Sequence, residues 1–410
     1  MKKPLALLAV VVTSVSLSAM AAEPLETSFD KSYLKFENKE AGYEFKFDGR
    51  IMLDTGIVDA SENTGLTADT SFRRLRFAVK TRFYEDWAAE FDLDFAENSI
   101  EAKDMWLAYN GLEDWSFKVG NHKPNFSIAE MTTSRWYTFM EVPNVVEAFA
   151  TGRRVGASAN YTSSMLNVGV SVFGDEVNVN GSDAVEKNQG ASERYGYSMR
   201  TLLRPFAMSN PDSAFHIGLN YIRHTPQSTD ENEFEYDVRL ENRVADYKLI
   251  RTDDFSDVDD ITVSGLEMFY KRNKFTMQSE FMNTEINFLD GAEAYQADGY
   301  YVQAGYFLKG SGQPYDARDG EPGAVVPSKG ESALEVALRY STINLTDEDV
   351  EVFGGEGNLV TLGLNWYVNT NVVFRVNYIH ADLDEYADGK GKFIGEDNVH
   401  MLVGRMQVMF

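Results

Sequence analysis

Among the 410 residues there is no cysteine, so the chain has no disulfide framework, thiolate metal site or cysteine nucleophile. Histidine is scarce. The five, His122, His216, His224, His380 and His400, fall in no spacing that assembles a nucleophile or a metal centre. A Ser/His/acid hydrolase is the main catalytic option left without cysteine, and its motif is missing. Positive charge is also in deficit: 38 Lys and Arg stand against 64 Asp and Glu, a net charge of -26, which argues against a nucleic-acid partner. Beyond the N-terminus, no stretch reaches the roughly 18 continuous apolar residues of a membrane helix. A soluble β protein and a barrel that crosses lipid with strands both survive these exclusions.

The N-terminus has Lys2 and Lys3, an apolar run from Leu5 to Val12, and small residues ending Ala19-Met20-Ala21. This reads as a bacterial secretory signal over 1–21, cut near Ala21 or Ala22. Its removal takes two bases and leaves 64 acids against 36, a charge of -28. Residues 22–42 read as a short polar segment, and 43–410 as one continuous domain.

That domain is built on a period of two. Leu75, Phe77, Val79, Thr81 and Phe83 alternate with Arg74, Arg76, Ala78, Lys80 and Arg82; Trp87, Ala89, Phe91, Leu93 and Phe95 alternate with Ala88, Glu90, Asp92, Asp94 and Ala96. One face is apolar and the other charged, the pattern of strands with lipid on one side and water on the other. Sixteen such segments can be counted, ending on Phe410. Their connections alternate short and long: Tyr84-Glu85-Asp86, Thr162-Ser163-Ser164, Arg272-Asn273 and Asn369-Thr370-Asn371 are short, whereas 230–260 is long and carries twelve acids against four bases. Short turns at one end and long loops at the other predict a transmembrane antiparallel β-barrel of about sixteen strands. A soluble sandwich also alternates, but it needs neither the export signal nor the aromatics at strand ends. Gly310–Lys329 falls on the short-turn side of this count, so either one turn there is long or the count slips by a strand.

The connection from Asn121 to Thr151 stands apart. It is about thirty residues long, and Phe126, Trp136, Phe139 and Phe149, with Met131 and Met140, would face water if it were an ordinary loop. These aromatics are expected to anchor it against the barrel wall. The cationic row Arg74, Arg76, Lys80, Arg82 is expected to face the water-filled interior, opposed by Glu90, Asp92 and Asp94, with Glu267, Glu280 and Glu335 elsewhere on the inward register. The plain reading of the two rows is cross-strand charge pairing; the functional one is a wall that steers ions.

The run VGNHKPNFSIAEMTTSRWYTFME followed by AFATGRRVG, together with FRRLRFAVK, GYYVQAGYFLKG, ALEVALRYS and NLVTLGLNWYVNTNVVFRVNYIH, resembles the phosphate-selective porin O and P family over most of the chain and in the same order. The resemblance implies a trimer of sixteen-stranded barrels in the bacterial outer membrane, with the third long loop, here 121–151, folded into the lumen. It implies passive diffusion of small hydrophilic solutes, anions such as phosphate among them, past cations that correspond to Arg74, Arg76, Lys80 and Arg82, with Lys118 and Arg154 beside the loop; the loop itself adds Lys123 and Arg135 as candidate cations on the path. The inward acids leave open a general, cation-tolerant porin; an outer-membrane barrel hydrolase and an adhesion barrel are the other classes. No cofactor or metal is expected. Expected partners are outer-membrane lipid and lipopolysaccharide, identical subunits, and the barrel-assembly machinery through Phe410.

Overall fold

The computed structural model describes residues 25–30, 33–96, 99–175, 177, 195–205, 212–226 and 234–410. The segment read as a secretory signal lies outside the described residues. In chain order the strands are β1 (Glu26–Asp30), β2 (Tyr33–Asn38), β3 (Tyr43–Ala60), β4 (Ser71–Phe83), β5 (Trp87–Asp94), β6 (Glu101–Tyr109), β7 (Trp115–His122), β8 (Arg154–Thr162), β9 (Leu166–Phe173), β10 (Gly196–Leu203) and β11 (Ser213–His224). After β12 (Asp237–Val238) and β13 (Ile250–Arg251) come β14 (Val258–Arg272), β15 (Phe275–Phe288) and β16 (Tyr295–Lys309). The chain ends with β17 (Tyr315–Asp316), β18 (Glu321–Pro322), β19 (Ala333–Asp347), β20 (Val352–Tyr367), β21 (Val372–Leu383) and β22 (Asn398–Met409). Two short helices, α1 (Ile128–Met131) and α2 (Asn144–Phe149), lie between β7 and β8.

Leaving out the N-terminal hairpin and the two-residue strands, sixteen strands pair antiparallel in sequence order, and β22 pairs with β3 to close the ring. Closure satisfies every strand's backbone groups without an edge, the condition for crossing hydrocarbon with strands. Along β20, Leu362, Leu364 and Trp366 are exposed while Thr361 and Asn365 are buried; along β21, Phe374, Val376 and Tyr378 are exposed while Arg375 and Asn377 are buried. A fold that turns its apolar residues out and its arginines in has lipid as its outer solvent.

The sixteen segments expected from alternation are the sixteen barrel strands, several of them longer than expected. β3 runs on through Thr55 to Ala60 because its ladder to β22 continues past the apolar rows. The polar segment 22–42 contains a hairpin: β1 pairs with β2, and β2 pairs with the first residues of β3. Phe36 packs edge-on against Phe47 at 5.7 Å, and Lys35 pairs with Glu44 at 2.8 Å. The strand count does not slip at Gly310–Lys329. The connection from β16 to β19 is long and lies on the side of the short turns. It leaves the wall through Gly312 at φ +96, where a Cβ would sit 2.5 Å from the Asn273 carbonyl oxygen, so only glycine fits.

Candidate permeation site

Three connections hydrogen-bond to inward-facing side chains of the wall. From the segment between β7 and β8, the Met140 carbonyl accepts from Arg405 Nη1 at 2.5 Å, Glu141 O from Arg339 Nη1 at 3.1 Å, Arg135 O from Arg375 Nη2 at 3.1 Å and Thr138 O from Asn365 Nδ2 at 2.7 Å. At its other end Glu280 of β15 accepts from the backbone N–H groups of Ile128 and Ala129 and from Ser127 Oγ. The segment between β11 and β14 sends in Glu241, fully buried, which accepts from Ser341 Oγ at 2.5 Å, Thr361 Oγ1 at 3.2 Å and Arg339. The segment between β16 and β19 comes from the opposite end. Arg200 donates to the carbonyls of Asp319 and Gly320 at 3.0 and 2.9 Å, Arg204 to that of Ala317, and Gln313 Nε2 reaches Trp136 O at 2.7 Å. Buried carbonyls need donors, and the wall's arginines and asparagines supply them.

Between these segments and strands β3 to β10 lies a cavity of about 670 Å³. Its cations are Arg50, Arg73, Arg74, Arg76, Lys80, Lys118, Lys123, Arg135, Arg153, Arg200, Arg243 and Arg318, twelve against seven acids, Glu90, Asp104, Glu130, Glu141, Glu147, Asp319 and Glu321. Of the eight cations expected on an ion path, Arg74, Arg76, Lys80, Lys118, Lys123 and Arg135 line it. Arg82 and Arg154 do not. Arg82 is exposed one residue from the turn at 84–86, and Arg154 is the first residue of β8, with Nη1 bonded to Arg153 O at 2.9 Å.

Arg50, Arg73, Arg153, Arg200, Arg243 and Arg318 line the cavity and were missed. Arg73 is the extra residue of a β-bulge: Met52 faces Arg74 and Leu53 faces Phe72, so two consecutive arginines turn inward where strict alternation sends one out. The signal was present in the sequence as a phase break, two arginines between the outward Phe72 and Leu75. Arg153 pairs with Asp104 at 2.5 Å, where a second irregularity between Phe91 and Leu93 shifts β6 against β5.

Most of these cations are already paired. Arg76 Nε lies 2.7 Å from Asp94, Lys80 lies 3.3 Å from Asp48 and 3.2 Å from Glu90, and Arg135 bonds Asp48 and the Tyr33 hydroxyl. Asp92 is 3.7 Å from both Arg50 and Arg76. Glu141 gathers Arg73 at 3.0 Å, Arg74 at 3.5 Å and Arg405 at 2.6 Å. Burial alone would raise its carboxyl, but these three guanidiniums hold it well below the usual carboxylate range. Burial pushes the Lys123 ammonium down against the pull of Glu130, whose carboxylate is 3.4 Å away. Glu321, between the side chains of Asp319 and Lys123, is pushed up to about 8, first by burial and then by Asp319. Lys118 and Arg318 form no salt bridge among the described residues, though the Asp319 carboxylate lies within electrostatic reach of both: Lys118 Nζ stands 4.5 Å over the Trp106 ring, and Arg318 donates to Asn110 at 3.1 Å.

The expected loop aromatics are packed. Phe126 and Phe139 are 1% exposed and Phe149 3%; Phe149 meets Tyr236 edge-on at 5.2 Å, and the Arg339 guanidinium lies 4.4 Å from the Phe139 ring. Trp136 is half-buried beside Phe307, Tyr367 and Met409.

A closed sixteen-stranded barrel with an apolar belt, a charged interior and a cavity of about 670 Å³, in a chain that a porin family matches, is an outer-membrane porin, and the bacterial outer membrane is where it resides. The chain belongs to the family described as phosphate-selective porin O and P, which matches residues 45–410. It is similar to Porin O of Pseudomonas aeruginosa, 24% identical over 93% of this chain and 91% of that protein, and to an uncharacterized protein of Caulobacter vibrioides, 27% identical over 82% and 68%. Solved structures share the fold at low identity. The anion-selective porin from Comamonas acidovorans is 12% identical with a TM-score of 0.52, covering 90% of this chain and all of that one. OmpT of Vibrio cholerae in its trimer form is 10% identical with a TM-score of 0.55, covering 90% and 100%.

Proposed function

We propose that this porin passes small anions, phosphate among them, by diffusion through a lumen constricted from one side by the segment between β7 and β8 and from the other by that between β16 and β19. The observation that carries the reading is the inversion of charge. A chain with a net charge of -26 lines its cavity with five more cations than acids, and low-dielectric walls focus that field on the path. The paired arginines of β4 are held rigid by Asp92, Asp94 and Glu141 and act as fixed positive potential; Lys118 and Arg318 are free to meet a solute. Guanidinium and ammonium donors suit phosphate oxygens, and transient single contacts keep flux high. Family membership and the anion selectivity in the name of the Comamonas relative agree with this. No catalytic step belongs to the function. Among the described residues His216 is engaged by the Tyr315 hydroxyl at 2.6 Å and by Glu267 at 3.2 Å, His380 stacks on His400, and the Ser158 hydroxyl beside His122 also bonds Ser171.

The reversal potential across a potassium chloride gradient in planar bilayers tests this. Anion preference is expected, with phosphate reducing chloride current, and Lys118→Gln together with Arg318→Gln should lower the anion-to-cation permeability ratio several-fold. A cation-selective reversal potential for the unaltered protein would establish the general, cation-tolerant porin instead.

We further infer a homotrimer. Strands β5 to β10 have eight or nine residues, against fourteen to sixteen in β14, β15, β16, β19 and β20. Eight tilted residues span roughly 20 Å, less than the ~25 Å apolar band, so this low wall fits protein neighbours better than lipid. Phe410, its backbone bonded to Gly49 and its ring exposed at the rim, is the signal we assign to the barrel-assembly machinery. Lipopolysaccharide is the assigned contact of the acidic rim around Asp347 and Asp349.

A further inference from the structure

Two of the five histidines meet on the outside of the barrel. β21 pairs with β22 so that His380 stands directly opposite His400, and β22 pairs with β3 so that His400 stands opposite Asp59. Three side chains with ligand chemistry thus form one cross-strand row. It lies on the face that carries Val376, Tyr378 and Leu402, away from the cavity and near the ends of β21 and β3. Opposed residues of an antiparallel pair hold their Cβ atoms about 5 Å apart, a spacing from which two imidazoles can reach one ion.

The rings are already stacked, with centroids 4.6 Å apart and planes at 15°. The Tyr378 oxygen lies 2.9 Å from His400 Nδ1. With Nδ1–H donating to that oxygen, Nε2 carries the lone pair, which is how a metal-binding histidine is commonly oriented through its other nitrogen. His380 Nδ1 is enclosed and has no hydrogen-bond partner, whereas Asp59 is exposed. A second nitrogen donor and an accessible carboxylate therefore flank the oriented one.

We propose that His380 and His400 bind a divalent transition-metal ion of the zinc or nickel class on the outer face of the barrel, with the exposed Asp59 side chain swinging in from the next strand as third ligand. Imidazole donors select such ions over calcium and magnesium, which prefer oxygen. The location gives binding a consequence. β22 and β3 are the last and first barrel strands, so an ion shared by His400 and Asp59 clips the seam that closes the barrel, and a ligand held only by the closed form stabilises it by mass action.

The test uses the full-length protein without an affinity tag, folded in detergent, titrated with Zn²⁺ by calorimetry and with Co²⁺ by visible absorption. One saturable ion per chain is expected, with a rise in unfolding temperature on adding Zn²⁺. His380→Gln and His400→Gln should each abolish both; Tyr378→Phe and Asp59→Asn should weaken binding at least several-fold. Heat-modifiable gel mobility and single-channel conductance should be unchanged in all four, since none of these residues lines the cavity. The proposal is overturned if the unaltered protein shows no saturable Zn²⁺ binding, if the glutamine variants retain it, or if equal concentrations of Ca²⁺ displace it, which would move the ion to the acidic loops.

Discussion

Glu141 shows how one residue can organise a site in this barrel. It sits on an irregular segment, yet its carboxylate is the meeting point of Arg73 and Arg74 from β4 and Arg405 from β22. Breaking a buried pair by deleting one partner costs about 3–5 kcal/mol, because like charges are left facing each other. Glu141→Gln is therefore expected to lower the stability of the folded barrel by about that amount in denaturant titrations and to raise current noise as the segment loosens. The sign with pH follows. A carboxyl held below its unfolded value contributes stability that is complete above the ordinary carboxylate range and lost as pH falls through the folded value. Acid should release this segment, and the Gln variant should be insensitive to that release. The residue choice was partly legible in advance: Arg74 and Arg76 followed from alternation, whereas Arg73 did not, because a bulge resets the phase by one residue.

At the scale of elements, the unexpected part is the segment between β16 and β19. Its length was visible, but its destination was not, because the donors that hold it, Asn167 on β9, Arg200 on β10 and Arg204 just beyond β10, are distant in the chain. Replacing residues 314–327 with a short glycine-serine turn should raise single-channel conductance about two-fold or more if pore cross-section at the constriction governs permeation. Glu321 gives this element a pH response. Its carboxyl is raised to about 8, so near neutrality it is largely uncharged, and it ionises as pH climbs through that value. The new negative charge faces Asp319, Lys123 and Arg200, so anion conductance should fall between about pH 7 and 9. Glu321→Gln should remove the inflection; an unchanged pH profile in that variant would assign it to another group. For stability the same shift has the opposite sense to Glu141: the folded state holds a proton that the unfolded chain has released, so stability declines as pH rises from the ordinary glutamate value.

For the molecule as a whole, the outer belt carries the argument for membrane residence. Leu362 is 53% exposed in the isolated chain, midway along β20 between Val360 and Leu364. An arginine at the bilayer midplane of such a wall costs about 2–4 kcal/mol, falling towards the interfaces. Leu362→Arg should show that loss in refolding titrations from urea into liposomes, while Asn160→Arg, on β8 and lining the cavity, should alter conductance first. Equal effects at the two positions would contradict a lipid-facing row.

What the sequence determined by itself was the solvent on each side of each strand. Side chains alternate with a period of two, so apolar and charged faces, the strand number and the short-turn end could all be read from neighbours in the chain. The hairpin before Tyr43 escaped because its strands are too short to display a period. Only the tertiary structure decided which charges meet. Arg73 with Glu141 and Arg405, Lys123 with Glu321, and His380 with His400 are encounters between residues tens to hundreds of positions apart. They are set by ring closure and the paths of three long connections, which leave no local periodic trace, and by bulges, whose only trace is a phase break such as the paired arginines Arg73 and Arg74.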